Sequence, residues 1–288
     1  MAASVLFDEP GPRARSRFRI YNVVFGALVA AAVAYAIYKL NDAGQFESRI
    51  YERLSESDST IRAIRRGLTA TLQAAAMAIA TSLALGAILA VARLSDHRWV
   101  RIPATAFVEF FRAVPLVLLI VFLFGLVTVQ YPDWDLQRKA LTALVTGLTL
   151  YNGSVLCEVF RAGVNAVSKG QREAAYAIGM RKTQVMTVVL APQAVRFMLP
   201  AIISQCVVVL KDTSLGYIVA YPELLRQAKS IATYVGSSLV TFAVIALVYV
   251  AMNSILSALA YWLERRLSMR GRGVAKAVEA VEEVLPVG

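Results

Sequence analysis

Long stretches without a charged residue alternate with short polar segments along this chain. Each residue of an α-helix advances it by about 1.5 Å, so roughly 20 apolar residues cross a bilayer core about 30 Å thick. Five stretches are long enough, or nearly so, to cross unaided, and a sixth is too short alone. The pattern therefore predicts membrane-spanning helices. The six stretches are 20–38, 67–92, 113–132, 140–157, 197–210 and 230–263.

The short fifth stretch is followed by Lys211 and Asp212 and then by uncharged residues as far as Tyr221. We interpret 197–221 as one span interrupted by two charges, which gives about six transmembrane helices in all. A charged side chain at the middle of a membrane helix costs about 2.5 to 3.5 kcal/mol on insertion scales. We therefore expect both charges to face the bundle interior or a water-filled cavity.

Composition supports an all-α polytopic membrane protein. Hydrophobic residues make up 58% of the chain and charged residues only 17%, below the quarter that is typical of soluble domains. If the spans alternate in direction, one face carries 19 Lys and Arg residues and the other carries 11. The richer face includes both termini and should be cytoplasmic. This asymmetry, together with attraction to anionic lipid, explains the net charge of +11 without a nucleic-acid partner.

The segments outside the spans give weaker signals. Residues 39–66 have mixed charge, and a solvated connector is a simpler interpretation than a short amphipathic helix. Basic residues before the first stretch, and Ala34-Tyr35-Ala36 within it, suggest a secretory signal, but the apolar run is longer than a usual cleaved core. We expect a retained first helix. Cys157, Cys206 and His97 do not form a ligand cluster in the sequence, so we predict no metal site.

The polar stretch "GQREAAYAIGM", residues 170–180, has the pattern of a short helix and its end. Good helix formers fill 171–178, and Glu173 is expected in the first turn, where the helix dipole favours a carboxylate. Gly179 can end the helix in a left-handed conformation. A second helical stretch then reaches Pro192, which either stops it or opens the next helix. Ala174 and Ala175 should offer a small, smooth surface for another chain.

Together these residues resemble the EAA loop of binding-protein-dependent ABC importer permeases. The match consists of Glu173-Ala174-Ala175, Gly179 four residues after Ala175, and Pro192 twelve residues after Met180. The phrases "FVEFFRAVPLVLLI" at 107–120 and "LKDTSLGYIVAYPELLRQA" at 210–228 are similar to the polar amino acid branch, which carries histidine, glutamine or glutamate. The resemblance covers roughly residues 64–266. One departure is Ala191, where the family usually has Leu, and we expect slightly looser packing there.

The resemblance implies a five-helix permease core with one additional N-terminal helix, as in a longer glutamate subgroup. The implied domains are a basic cytoplasmic tail, an extra helix, an extracytoplasmic connector, an importer transmembrane domain and a cytoplasmic tail. Their bounds are 1–19, 20–38, 39–66, 67–265 and 266–288. The coupling loop would occupy 162–192 and dock on a separate ATPase. The resemblance assigns this contact to Glu173, Ala174, Ala175, Gly179 and Pro192.

No catalytic residue or cofactor is expected on this chain. "VSKGQRE" at 167–173 superficially resembles an ABC signature, but a phosphate-binding loop ends in Gly-Lys-Ser/Thr, and no Gly-Lys pair occurs in the sequence. ATP and Mg²⁺ would therefore bind the ATPase partner. The family also implies a second permease subunit, identical or related, an extracytoplasmic amino-acid-binding protein, and a bacterial inner membrane location with both termini cytoplasmic.

A substrate path is a further hypothesis. A zwitterionic amino acid needs fixed charges or hydrogen-bonding groups to replace the water that it loses in the membrane. The candidates are Asp212, Lys211, Thr213, Ser214, Asn152 and Glu158. Alternatively, Lys211 and Asp212 pair with each other or snorkel toward the interface.

Alternatives also remain for neighbouring residues and for the function. Glu109 and Arg112 suggest a structural role near the entrance of the third span, and Pro115 should kink that span. The alternative functions are an ion-coupled secondary transporter or channel, and a membrane scaffold that carries nothing.

Overall fold

The structure is a computed structural model that describes residues 11–284, and this part of the chain is α-helical without β-strands. The predicted all-α membrane architecture is confirmed. A π-helical segment, Val185–Leu190, and a 3₁₀ segment, Thr213–Tyr217, adjoin the α-helices. The α-helices are α1 Pro12–Asp42, α2 Ser48–Ser55, α3 Asp58–Arg93, α4 Arg98–Ala113, α5 Leu116–Gln130, α6 Leu136–Ala166, α7 Lys169–Ala177, α8 Lys182–Gln184, α9 Ala191–Asp212, α10 Leu224–Val235 and α11 Ser238–Val284.

Five helical segments in the described residues are long and apolar enough to cross a membrane, and a bent helix pair supplies a sixth if it counts as one span. The predicted number of about six is therefore confirmed on length and composition. The five segments are Arg17–Asp42, Asp58–Arg93, Leu136–Ala166, Lys182–Tyr217 and Ser238–Trp262.

The bent pair is α4 and α5, whose axes differ in direction by 102°. Val114 and Pro115 between them are extended, with ψ angles of 128° and 127°. Proline has no amide hydrogen and disfavours a helical conformation at the preceding residue, so the helix stops there. The predicted kink at Pro115 is confirmed, and within the predicted span 113–132 the helix begins only at Leu116, after the break. With 15 residues, α5 is only about 22 Å long, shorter than the bilayer core.

Two other predicted spans have different ends. The fifth span begins at Lys182 rather than near residue 197, and it ends at Tyr217 rather than Tyr221. The stretch 230–263, predicted as one helix, is divided between α10 and α11. Gly236 separates them with a φ of +86°, a left-handed conformation that favours glycine.

The connector before α3 is folded rather than merely solvated. Helix α2 lies within it, and its Ile50 is only 4% exposed because it packs against Ile231, Val235 and Val240. Arg53 Nη1 also donates to the Tyr234 carbonyl oxygen at 3.2 Å. Of the two alternatives for this segment, the short amphipathic helix is correct and the solvated connector is wrong.

Helix α6 lies at the centre of the bundle and packs against α3, α4, α5 and α9. Small residues let α3 and α6 approach closely, as is common between membrane helices. A Cβ on Gly86 would lie 2.8 Å from the Leu156 Cβ, and a Cβ on Gly153 would lie 2.9 Å from a Leu85 methyl carbon. The apolar part of α1, in contrast, is not buried against the rest of the described chain.

Candidate coupling and transport site

The segment after α6 forms a short helix that ends in a tight turn at one end of the bundle. Helix α7 is followed by Gly179, whose φ is +82°. The Gly179 amide donates to the Tyr176 carbonyl oxygen at 3.0 Å, and the Met180 amide donates to the Ala175 carbonyl oxygen at 3.1 Å. These two bonds define a Schellman motif. The predicted left-handed end at Gly179 is therefore confirmed.

The structure of α7 differs from the prediction in two details. The helix begins at Lys169, so Glu173 lies in the second turn and not in the first. Ala175 is 5% exposed and belongs to the interior, so only Ala174 of the alanine pair is on the surface. The exposed residues of α7 combine small side chains with the charged Glu173 and Arg172, and Ile178 immediately after the helix is 80% exposed. The small residues are Gly170, Ala174 and Ala177.

The buried side of α7 is anchored to two spans. Ala175 packs with Val167, which follows α6, and with Val185, Leu190 and Ala194. The last three belong to the π-helical segment and α9, which continue without interruption from α8. A displacement of α7 would therefore be passed to the Lys182–Tyr217 span.

Pro192 lies in the first turn of α9 and interrupts nothing, so it opens the helix and does not stop the preceding one. Leu190 fills the apolar cluster beneath α7, whereas Ala191 is partly exposed. The family's leucine position thus lies beside the cluster core. The packing consequence of Ala191 remains a prediction.

An ion pair joins α8, which follows the Gly179 turn, to the turn between α3 and α4. Lys182 Nζ pairs with Asp96, and it also donates to the Leu94 carbonyl oxygen at 3.4 Å. The hydrogen bond from Lys182 lowers the pKa of the Asp96 carboxyl. Both side chains are largely exposed, so the pair contributes little to stability and mainly fixes the position of the segment.

Glu158, one of the predicted substrate-path residues, lies in an ion network. Arg93 pairs with it, and the Arg161 Nη2 donates to its Oε2 at 2.7 Å. Glu109 and Arg112 complete the network, with Arg93–Glu109 and Arg112–Glu158 separations of 3.6 and 3.9 Å. The network links α3, α4 and α6. Sequence analysis missed Arg93, whose place at the charged end of an apolar helix was the available signal.

Asn152 is fully buried and joins α6 to α9. Its Nδ2 donates to the Leu148 carbonyl oxygen at 3.0 Å, and its Oδ1 accepts a hydrogen bond from Gln205 Nε2 at 2.6 Å. Both polar groups are thus occupied within the protein. The structure does not bring Asn152 or Glu158 into contact with Lys211.

Lys211 and Ser214 line a cavity of about 470 Å³ between the end of α9, α10 and α11. Asp212 is half-buried, and in the described part of the chain no Lys211–Asp212 ion pair lies within 4.0 Å. The predicted alternative of a direct pair is therefore wrong. Thr213 is buried and donates to the Leu210 carbonyl oxygen at 2.6 Å, so its hydroxyl completes the helix end.

Glu223 is a buried residue that sequence analysis did not identify. It caps α10 by accepting hydrogen bonds from the amides of Leu225 and Arg226 at 2.7 and 2.6 Å. The Tyr249 hydroxyl donates to it at 2.7 Å and connects α10 to α11. Burial raises the pKa of the Glu223 carboxyl. The available signal was an acidic residue immediately before a helix, the usual capping position.

A bundle of apolar helices long enough to cross a bilayer, with an exposed helical bend that packs against the bundle, is the architecture of an integral membrane protein. Residues 82–269 match the family described as the binding-protein-dependent transport system inner membrane component, and the chain belongs to that family. The predicted resemblance is confirmed. This protein is an inner-membrane component of an ABC transporter, and its family consists of transport permeases, not enzymes.

Several proteins are similar to this chain over most of its length. The glutamate transport system permease protein GluD of Corynebacterium glutamicum is 37% identical over 244 residues, 85% of this chain and 89% of that protein. The probable glutamine ABC transporter permease protein GlnM of Bacillus subtilis is 36% identical over 70% of this chain and 91% of its own.

Among solved structures, an amino acid ABC transporter crystallised with histidines matches with a TM-score of 0.66 and 27% identity. The structural match covers 72% of this chain and 95% of the chain in that crystal structure. The sequence and structural matches agree on one class of transporter. This chain is accordingly a permease subunit of an amino-acid ABC importer.

Proposed function

We propose that this chain forms the translocation path of an ATP-driven glutamate importer, with glutamine as the next candidate, and couples to a separate ATPase. The observation that carries the coupling is the α7–Gly179 bend, exposed on one side and packed on the other against the start of a membrane span. The substrate follows from the similarity to GluD, which is longer than the similarity to GlnM.

The exposed side of α7 suits insertion into a cleft of another protein. Ala174 and Ala177 let a partner backbone approach closely, and Ile178 supplies one apolar side chain for burial. Glu173 adds a charge that a basic group of the ATPase can pair with. Nucleotide-driven closure of two ATPase subunits would move α7, and Ala175 would transmit that movement to Val185 and Ala194.

The remaining partners follow from the same architecture. A second permease subunit, identical or related, would enclose the path with this chain, and an extracytoplasmic binding protein would deliver the amino acid. ATP and Mg²⁺ would bind the ATPase subunits. Both termini would be cytoplasmic, since that orientation places the basic segments and the α7 bend on one side.

Within the membrane, we assign substrate contact to the residues at the end of α9. Lys211 lines an open cavity, where its ammonium group can pair with a substrate carboxylate. Ser214 lines the same cavity and adds a hydroxyl. Asp212 remains a candidate because its carboxylate is half-exposed. Asn152 is hydrogen-bonded within the protein and Glu158 takes part in ion pairs, which supports a structural role for both rather than direct substrate contact.

Uptake of labelled amino acids tests the substrate. In cells that lack and then regain this protein with its partner genes, we expect L-glutamate uptake to be restored, with L-glutamine as the next best substrate. Failure to restore the uptake of any amino acid would contradict the substrate class. Proteoliposomes test the energy source, because transport driven by an ion gradient without an ATPase would favour the secondary-transporter alternative.

Co-purification tests the coupling surface. Glu173→Lys should abolish recovery of the ATPase with this chain, because the substitution replaces the only acidic side chain of α7 with a basic one. Asp133→Lys makes a similar charge reversal at an exposed residue just after the C-terminal end of α5, and it should leave recovery of the ATPase unchanged. Equal recovery of the ATPase with both variants would show that α7 is not part of the contact with the ATPase.

A further inference from the structure

The cavity beside Lys211 contains a polar residue that neither the fold nor the proposed coupling requires. Besides Lys211 and Ser214, its wall is formed mainly by apolar side chains of α11, among them Phe242, Ile245 and Val250. Tyr249 and Asn253 of α11 are its other polar-tipped residues. A mostly apolar cavity of about 470 Å³ with a few polar groups is typical of small-molecule sites.

Asn253 has an unfilled hydrogen-bonding position. Its Nδ2 donates to the Tyr249 carbonyl oxygen at 2.7 Å, one helical turn earlier. Its Oδ1 is the one buried side-chain oxygen or nitrogen without a hydrogen-bond partner among the described residues. The nearby Tyr249 hydroxyl cannot supply the missing donor in this arrangement, because it donates to Glu223. Asn253 lines the cavity, although its Oδ1 atom is itself covered in this conformation. Leaving an amide oxygen unpaired in a membrane interior is costly, so an occupant of the cavity that offers a donor, and toward which the side chain turns, would stabilise the arrangement.

Lys211 presents the complementary requirement. Its side chain is exposed at the wall of the same cavity, and no acidic oxygen of the described residues lies within 4.0 Å of its ammonium group. A cation at membrane depth needs an anion or water. The cavity wall therefore includes the Lys211 ammonium group, which needs an anion or water, and Asn253, whose Oδ1 lacks a hydrogen-bond donor.

We propose that this cavity binds the zwitterionic head group of an α-amino acid, with the carboxylate on Lys211 and Ser214 and the ammonium group on the Oδ1 of Asn253. Lys211 alone would accept any carboxylate, and Asn253 selects those that carry an amino group. The apolar wall contacts the aliphatic part of the substrate. This inference rests on the proposed function and adds a specificity-determining residue, Asn253, on α11.

Direct binding of labelled L-glutamate and L-glutamine to the assembled transporter in nanodiscs, without the binding protein, tests this assignment. Asn253→Ala should weaken binding of both by about 10- to 100-fold, as expected for the loss of a hydrogen bond to a charged group. Asn253→Asp keeps an acceptor for the ammonium group and should bind within a few-fold of the unmodified protein. Ile255→Ala changes an exposed α11 residue outside the cavity wall and should bind normally.

Cysteine protection gives a second measurement, of access to the cavity, made at an amino acid concentration high enough to saturate the weakened Asn253→Cys site. In a background with Cys157 and Cys206 replaced by alanine, Asn253→Cys should react with a small methanethiosulfonate reagent, and saturating amino acid should slow that reaction. Ile255→Cys should react at the same rate with and without amino acid. If amino acid gives Asn253→Cys no protection, or if a lipid or a second subunit blocks labelling throughout, the assignment is overturned.

The two proposals fail in different ways. If the unmodified complex neither binds nor transports any amino acid, the proposed function itself fails. If it does both and Asn253→Ala binds amino acids as tightly as the unmodified protein, only the role of Asn253 fails.

Discussion

Replacing Gly179 with alanine is the most direct test of the bend that follows α7. The φ of +82° places this residue in the left-handed region, and an added Cβ would meet no atom within 4 Å. The substitution therefore introduces backbone strain without a steric clash. For an alanine this strain costs about 1 to 2 kcal/mol, which corresponds to roughly a 5- to 30-fold shift in a local equilibrium.

That shift should act on the bend and leave the rest of the bundle unchanged. The two Schellman hydrogen bonds, from Gly179 to Tyr176 and from Met180 to Ala175, would be broken in part of the population. We expect Gly179→Ala to be inserted in the membrane and to unfold thermally within a few degrees of the unmodified protein. ATP-dependent uptake should fall about 5-fold or more, together with recovery of the ATPase subunit.

Gly170→Ala is the matched control. It makes the same chemical change within α7, where an added Cβ also meets no atom within 4 Å, but its φ is not positive. Alanine there favours the helix by roughly 0.5 to 1 kcal/mol. Gly179→Asn, which tolerates the left-handed conformation better, should retain more uptake than Gly179→Ala. If Gly179→Ala and Gly170→Ala gave equal uptake, the left-handed turn would have no role in coupling.

Three other predictions concern the bundle. Tyr249→Phe removes the hydroxyl that donates to buried Glu223, and it should reduce the free energy of unfolding by about 1.5 to 3 kcal/mol, measured by denaturant titration in detergent against Tyr261→Phe. Because burial raises the pKa of Glu223, the folded state holds the proton more tightly. The contribution of this tighter proton binding to the free energy of unfolding is present at low pH and is lost as the pH rises through the raised pKa of Glu223. Glu223→Gln should flatten that dependence in thermal unfolding, and an unchanged pH profile would contradict it. Gly86→Val places side-chain atoms against Leu156 and should destabilise the α3–α6 contact by roughly 1 to 3 kcal/mol, whereas Gly125→Val, with open space around its Cβ position, should not change the melting temperature.

Much of this architecture could be predicted because membrane helices are specified locally. Each span satisfies its own backbone hydrogen bonds, so an apolar stretch of sufficient length predicts a helix whatever its neighbours are. Pro115 and Gly179 act through their own backbone preferences, and both gave the predicted kink and left-handed end. The coupling segment was identifiable for the same reason, since its signals lie within about twenty consecutive residues.

The wrong predictions involve contacts between residues that are distant in the sequence. Uncharged residues around Gly236 gave no sign that α10 would end there and pack its Ile231 against Ile50. Nothing local showed that Ala175 would be buried while Ala174 stayed exposed, because that depends on which side of α7 meets α9.

The same distinction holds for the polar residues. Their residue types predicted candidate substrate contacts, but the packing of α6 on α9 gave Asn152 a partner in Gln205. The packing of α9 beside α11 placed Lys211 and Asn253 on one cavity. The sequence by itself determined the membrane-spanning stretches, their approximate number and the bend at Gly179, because these depend on short-range backbone preferences and hydropathy. Only the tertiary structure decided which polar groups are paired and which remain available, because that depends on the sides on which separate helices meet.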